Sequence, residues 1–271
     1  MGAWGYDLFQ SDHDFDIIDD LEQESGLRKL AADTLATAGR TSEEDKASIC
    51  LTMYAPMCSD PELVKRHLES GVLTKLVKSR EEKLLSYPGM FSVFNWTSHD
   101  PCYVYVLLGA CAMTLGCRLS DSYLNLLKKV YTEGGLMPGA LRQIRKALFG
   151  PNGFKNGEPY DFESKDLIET ANSQDERPAS NGANGFIFMN VPSPGGLFNT
   201  GMGDSRSSKV IAELRAIHNK ANACGGCGAK HGDGSQPLLA CSNCKHRKYC
   251  GVKCQKDHWK IHKKACQPLQ E

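Results

Sequence analysis

Near the C-terminus the chain reads Cys224-Gly-Gly-Cys227, then thirteen residues, Cys241-Ser-Asn-Cys244, five residues, Cys250-Gly-Val-Lys-Cys254, seven residues, and His262-Lys-Lys-Ala-Cys266. These are eight soft or borderline donors in four pairs. Tetrahedral zinc takes four thiolates or imidazoles, and a Cys-x2-Cys turn presents two of them at once. The two later pairs have i, i+4 spacing, which predicts two donors on one helix face. Eight donors fill two closed sites with none left over, so the expected cofactor is two structural Zn2+ ions. Four protein donors leave no position for water or substrate, which argues against a catalytic metal. The segment has little apolar content, so metal binding is expected to supply its folding energy. Spacing alone does not say which pairs share an ion.

Within the same stretch stand Tyr249-Cys250, Cys254-Gln255, Trp259 and His262-Lys-Lys-Ala-Cys266. With the eight donors, these features resemble the MYND-type zinc finger over about a sixth of the chain. Only the thirteen-residue gap, which holds Gly232, Gly234 and Pro237, is long for that pattern. The resemblance implies an interleaved arrangement: Cys224, Cys227, Cys250 and Cys254 on zinc 1, and Cys241, Cys244, His262 and Cys266 on zinc 2. It places the imidazole donor four residues before the last Cys, at His262 and not His258. His231 and His246 are read as loop or surface residues. Such fingers resemble peptide-docking modules for short proline-containing segments of partner proteins. The matching docking positions here are Gln255, Trp259 and Ser242. An exposed indole suits stacking on a proline ring; the competing expectation is that Trp259 packs in the finger's own small core.

Working outward, the 32 basic and 32 acidic side chains cancel, but unevenly. Residues 209–271 hold 12 basic and 4 acidic side chains, leaving residues 1–208 with a balance of −8. Seven of the 12 Cys also fall between Cys224 and Cys266; the others are Cys50, Cys58, Cys102, Cys111 and Cys117. The opening residues show no basic region followed by an apolar run, so no signal peptide is expected. The expected location is intracellular, without a choice between cytoplasm and nucleus, where thiols stay reduced and clustered Cys bind metal. Tyr103 to Cys117 is the most apolar stretch, short of the roughly 20 residues of a membrane span. It reads as a buried core helix, and no membrane partner is expected.

Residues 1–150 read as a helical domain of unknown function. Ser11 with Asp14 suggests a capped start for a helix carrying Phe15, Ile18 and Leu21, and Gly26 divides or bends it. Asp60-Pro61 and Asp100-Pro101 are cap and first-turn pairs. Further helices are expected from Asp121 and from Pro138, with Gly150-Pro151 as a stop. Gly, Asn, Pro and Ser make up 25 of the 55 residues of 151–205. That stretch reads as a flexible, largely irregular linker, with a helical turn over 166–172 and a short strand over 186–191. A short connecting helix over 206–223 leads into the finger at 224–266. The expected fold class is therefore mainly α, with a helical N-terminal domain, a Gly/Asn/Pro-rich linker and a small two-zinc finger. The opening Met1-Gly-Ala-Trp4-Gly5 resembles the start of a helical family of unknown function, which assigns no residue a role. Trp4 and Phe9 read as core anchors. Asp12, His13, Asp14 and Asp16 read as helix-start acids favoured by the dipole and not as a metal cluster.

The favoured function is a non-enzymatic interaction protein, adaptor or regulator. One alternative is a SET-like protein lysine methyltransferase, because MYND fingers also occur in such proteins, but their Asn-His-x-Cys cofactor motif is absent from this sequence. Another is nucleic-acid binding through the basic tail. Two zinc ions add four positive charges and seven thiolates remove seven, which lowers the tail from +8 to +5 and disfavours that reading.

Overall fold

A computed structural model describes residues 2–37, 49–86, 100–166, 169 and 205–268. Among these residues the chain is mainly helical and divides into two compact units. The first takes its residues from 1–80 and 102–200, the second from 81–101 and 201–271.

In the first unit, α1 (Asp12–Ser25) is capped by Ser11, whose hydroxyl accepts from the Asp14 amide. Gly26 (φ 76°) stops it, so the apolar stripe that follows is a second helix, α2 (Leu27–Thr37). Asp60 caps α3 (Pro61–His67), and a π-helical turn (Leu68–Val72) leads into α4 (Leu73–Ser86). The apolar stretch forms α5 (Pro101–Thr114), in which every side chain from Val104 onward is buried. A helix apolar all round must be covered on every side. Two amphipathic helices follow it: α6 (Asp121–Val130), capped by Ser120, and α7 (Pro138–Phe149). The Tyr123 hydroxyl donates to the Tyr105 carbonyl, and their rings lie 4.5 Å apart, which joins α6 to α5.

The opening segment folds back on itself. The Trp4 amide donates to the Gln10 carbonyl and the Asp12 amide to that of Gly2. The Leu8 amide then bonds Gln143, and the Ala140 amide bonds the Tyr6 carbonyl, so the loop is pinned to α7. Phe9 is buried against Tyr54, whereas Trp4 is only part-buried and stacks on Phe15. Asp14 points inward and accepts from the Tyr103 hydroxyl.

Burial pushes the Asp14 carboxyl above its usual range, outweighing the hydrogen bonds from Tyr103 and Ser11. The folded chain thus binds that proton more tightly than the unfolded chain, where the group titrates near 3.8. Asp14 accordingly contributes a loss of stability as pH rises through the window above 3.8. Urea melts across that window are expected to show a flatter pH slope for Asp14→Asn than for the wild type; an unchanged slope would assign the dependence elsewhere.

The described part of the expected linker is irregular but packed. Residues 151–166 have no helix or strand, yet they belong to the first unit's packing. Asn156 bonds both backbone groups of Leu119, the Tyr160 amide donates to the Met113 carbonyl, and Phe162 is buried. A Gly- and Asn-rich segment can be ordered when its polar groups satisfy a neighbour's backbone. The strand expected over 186–191 lies outside the described residues, as does the turn expected over 166–172 except at its first residue and Glu169.

The second unit combines residues 81–86, the end of α4, with α8 (Ser205–Asn219), strands β1 (Leu239–Ala240) and β2 (Lys248–Tyr249), and α9 (Val252–Ala265). The strands pair antiparallel, Leu239 opposite Tyr249. Residues 206–223, expected as a connector, contain most of α8, and α8 packs along α9. Its Arg215 and Asn219 side chains donate to the Leu84 and Leu85 carbonyls at the end of α4. Those are carbonyls that a helix terminus leaves without an intrahelical partner. Among the described residues, no helix is long and apolar enough to cross a membrane.

Candidate metal centres

Among the described residues, metal-ligating side chains converge in two groups, Cys224, Cys227, Cys250 and Cys254, and Cys241, Cys244, His262 and Cys266. Within each group the donor atoms lie within 4.8 Å of one another. This is the interleaved grouping that the resemblance implies.

Backbone pairing produces it. The Gly225 amide donates to the Lys248 carbonyl at 2.8 Å, and the Cys241 amide to that of Arg247 at 2.8 Å. Both Cys-x2-Cys turns are thereby held against the segment 247–249 that leads to Cys250. Helix α9 begins at Val252, so Cys250 lies on the approach to the helix and only Cys254 within it. The expectation of two helix-face pairs is corrected at this point. The later pair keeps its i, i+4 relation: His262 sits in α9, and Cys266 follows its last turn with its amide on the His262 carbonyl.

The donor spacing fits zinc. A tetrahedron with sulfur about 2.3 Å from the metal has sulfur–sulfur edges of about 3.8 Å. Cys250 Sγ lies 3.5 Å from Cys224 Sγ, 3.5 Å from Cys227 Sγ and 3.4 Å from Cys254 Sγ. In the second group Cys241 Sγ is 3.9 Å from Cys266 Sγ, and Cys244 Sγ is 3.5 Å from His262 Nε2. These separations are far beyond a disulfide bond of about 2.05 Å.

The electrostatics also favour a cation. Burial opposes ionisation of Cys224 and Cys241, but backbone amides (those of Cys250, Cys227 and Gly226 for the first, of Cys244 and Asn243 for the second) outweigh it and lower both thiols to about 6. Cys250 and Cys266 resist. Hydrogen bonding to Cys254, Cys224 and Cys227 holds Cys250 up, and burial with neighbouring thiolates raises Cys266 to about 11. Each further negative charge would sit beside one already present, so a divalent ion must replace the protons.

Both glycines of Cys224-Gly225-Gly226-Cys227 are required by close approach. A Cβ on Gly225 would lie 2.6 Å from Arg247 Nε, and one on Gly226 would lie 2.9 Å from Cys254 Cβ. The turn is therefore pressed between the arginine that crosses it and the helix that carries Cys254.

That arginine leads to a residue the sequence reading missed. Glu213 of α8 is only 4% exposed. Its Oε1 lies 3.0 Å from His262 Nδ1 and 3.1 Å from Arg247 Nε, and its Oε2 lies 3.3 Å from His258 Nε2. Arg247 also donates to the Ala216 carbonyl of α8. His258 Nδ1 is 3.4 Å from the hydroxyl of buried Tyr249, so both ring nitrogens have partners and the ring stands outside the donor groups. Burial disfavours a charged His262 ring, but Glu213, Cys241 and Cys244 outweigh it and lift its pKa to about 9. Those surroundings call for positive charge, which a metal ion at Nε2 supplies. The signal for Glu213 in the sequence was faint: one acid within an otherwise apolar stripe of Val210, Ile211, Leu214 and Ile217.

The three positions expected to dock peptides fall outside the metal groups. Trp259 is 43% exposed on α9, Gln255 is part-buried one turn earlier, and Ser242 is exposed between Cys241 and Cys244. Lys256 and Lys260 are exposed beside them in sequence, and His231 and His246 are exposed as expected.

Residues 222–266 match the family model of the MYND finger. The N-lysine methyltransferase SMYD2 of Sus scrofa is 33% identical over 63 residues, and that of Homo sapiens 32%. The likeness covers 23% of this chain and 14% of each of those proteins. No solved structure matches the chain. The C-terminal segment is a MYND finger, a zinc-binding protein-interaction domain, and its two donor groups are consistent with two zinc ions.

Proposed function

We propose that the protein is a non-enzymatic, intracellular adaptor whose finger docks proline-containing segments of partner proteins through Gln255, Trp259 and Ser242. The observation that carries this reading is the indole of Trp259. It is 43% exposed on a helix whose other large aromatic neighbour, Tyr249, is fully buried. An indole left in water beside a rigid metal-held scaffold is a surface on which a proline ring can stack at small entropic cost. The exposed Lys256 and Lys260 favour partners with acidic residues near the proline. Four protein donors at each ion leave no open position for chemistry.

The methyltransferase alternative has no support. The likeness to SMYD2 is confined to 14% of those proteins, and the Asn-His-x-Cys motif does not occur here.

The test is binding to a library of proline-containing peptides by fluorescence anisotropy. Trp259→Ala is expected to cost about 2 kcal/mol or more, as for a central aromatic anchor, while zinc content stays at two ions per chain. Undiminished binding by the zinc-loaded variant would place docking elsewhere.

A further inference from the structure

We infer that Glu213 is a positioning residue for the second metal site, and that α8 is thereby part of the metal-binding module and not a connector to it. Three nitrogen-bearing side chains surround its buried carboxylate: His262, Arg247 and His258. A carboxylate this deeply buried is tolerated only when paired and hydrogen-bonded. Arg247 supplies one permanent positive charge beside Glu213. In the metal-binding form His262 is neutral, with its single proton on Nδ1 donated to Glu213 Oε1 across 3.0 Å. That tautomer leaves the Nε2 lone pair free on the side where Cys244 Sγ lies 3.5 Å away. The opposite tautomer would set a lone pair against the carboxylate and turn an N–H toward the three thiolates.

Glu213 therefore selects the tautomer that can bind metal, fixes the ring plane and strengthens Nε2 as a donor. His258 completes the arrangement. Its Nε2 lies 3.3 Å from Glu213 Oε2 and its Nδ1 lies 3.4 Å from the Tyr249 hydroxyl, so each carboxylate oxygen has a nitrogen beside it. The link spans 49 residues of sequence, from the middle of α8 to the last turn of α9.

The experiment uses the full chain. Native mass spectrometry at stepped concentrations of a zinc chelator counts bound ions, and ring 15N shifts report the His262 tautomer. Glu213→Ala is expected to release one of the two ions at 10–100-fold lower chelator concentration, the range for losing such an outer partner. The other ion should shift less, and the Nδ1 proton of His262, no longer held by Glu213, should exchange rapidly with solvent. Glu213→Gln keeps the volume and one acceptor oxygen but not the charge, so it is expected to keep the tautomer and recover part of the loss. A release curve for Glu213→Ala indistinguishable from that of the wild type overturns the inference. So does equal weakening of both ions in Glu213→Gln, which would assign Glu213 to packing alone.

Discussion

Chelating zinc from the intact chain is expected to abolish the fold of residues 222–266 while leaving the helices of the first unit in place. The reason lies in what the finger buries. Its core cluster is Cys224, Cys241, Cys244 and Tyr249, flanked by Ala229, Leu238, Cys250, Cys254 and Cys266. Six of those nine side chains are metal donors, so without the ion the core becomes a set of mutually repelling thiols around one tyrosine. Structural zinc in such modules is worth about 10–16 kcal/mol in apparent binding energy at neutral pH. No comparable apolar term exists here to replace it. Amide hydrogen exchange is the measurement: protection should vanish across β1, β2 and α9 and persist in α5. Retained protection in α9 after complete zinc removal would show that apolar packing suffices.

The second large effect is expected in α5. Leu108 is fully buried in a helix surrounded on all sides. Leu108→Ala removes buried methyl and methylene groups and leaves a cavity that a helix enclosed on every face cannot readily fill. The expected cost is about 2–5 kcal/mol, read as a lower urea midpoint for the helical circular dichroism signal. Zinc content should remain at two ions, because all eight donors lie within residues 224–266. A loss below about 1 kcal/mol would mean that the neighbours of Leu108 collapse into the space, against the close packing expected of such a core.

The features legible in the sequence were those whose physics is local. A Cys-x2-Cys turn, an Asp-Pro helix start and an uninterrupted apolar run each state their meaning within a few residues. Asp60, Ser11 and α5 accordingly stand where they were expected. Two things were not legible. Asn156 and Phe162 sit in a stretch whose composition signals disorder; only the Leu119 backbone, 37 residues earlier, gives Asn156 its purpose. Glu213 is an ordinary acid on a short amphipathic helix until α9 brings His262 to it. Position 250 shows a milder version of the same limit. The i, i+4 spacing suits a helix, but α9 starts only at Val252, after its cap Gly251, and leaves the ligand outside.

The second unit is discontinuous in sequence, and this has a kinetic consequence. Leu84 reaches its partner Arg215 across 131 residues. At a synthesis rate of about 5–20 residues per second, the end of α4 leaves the ribosome on the order of ten seconds before α8 exists. During that interval the Leu84 carbonyl has only water. Chains that stop short of α8 would leave the Leu84 and Leu85 carbonyls to water for their whole lifetime, so the end of α4 gains these partners only when synthesis nears its close.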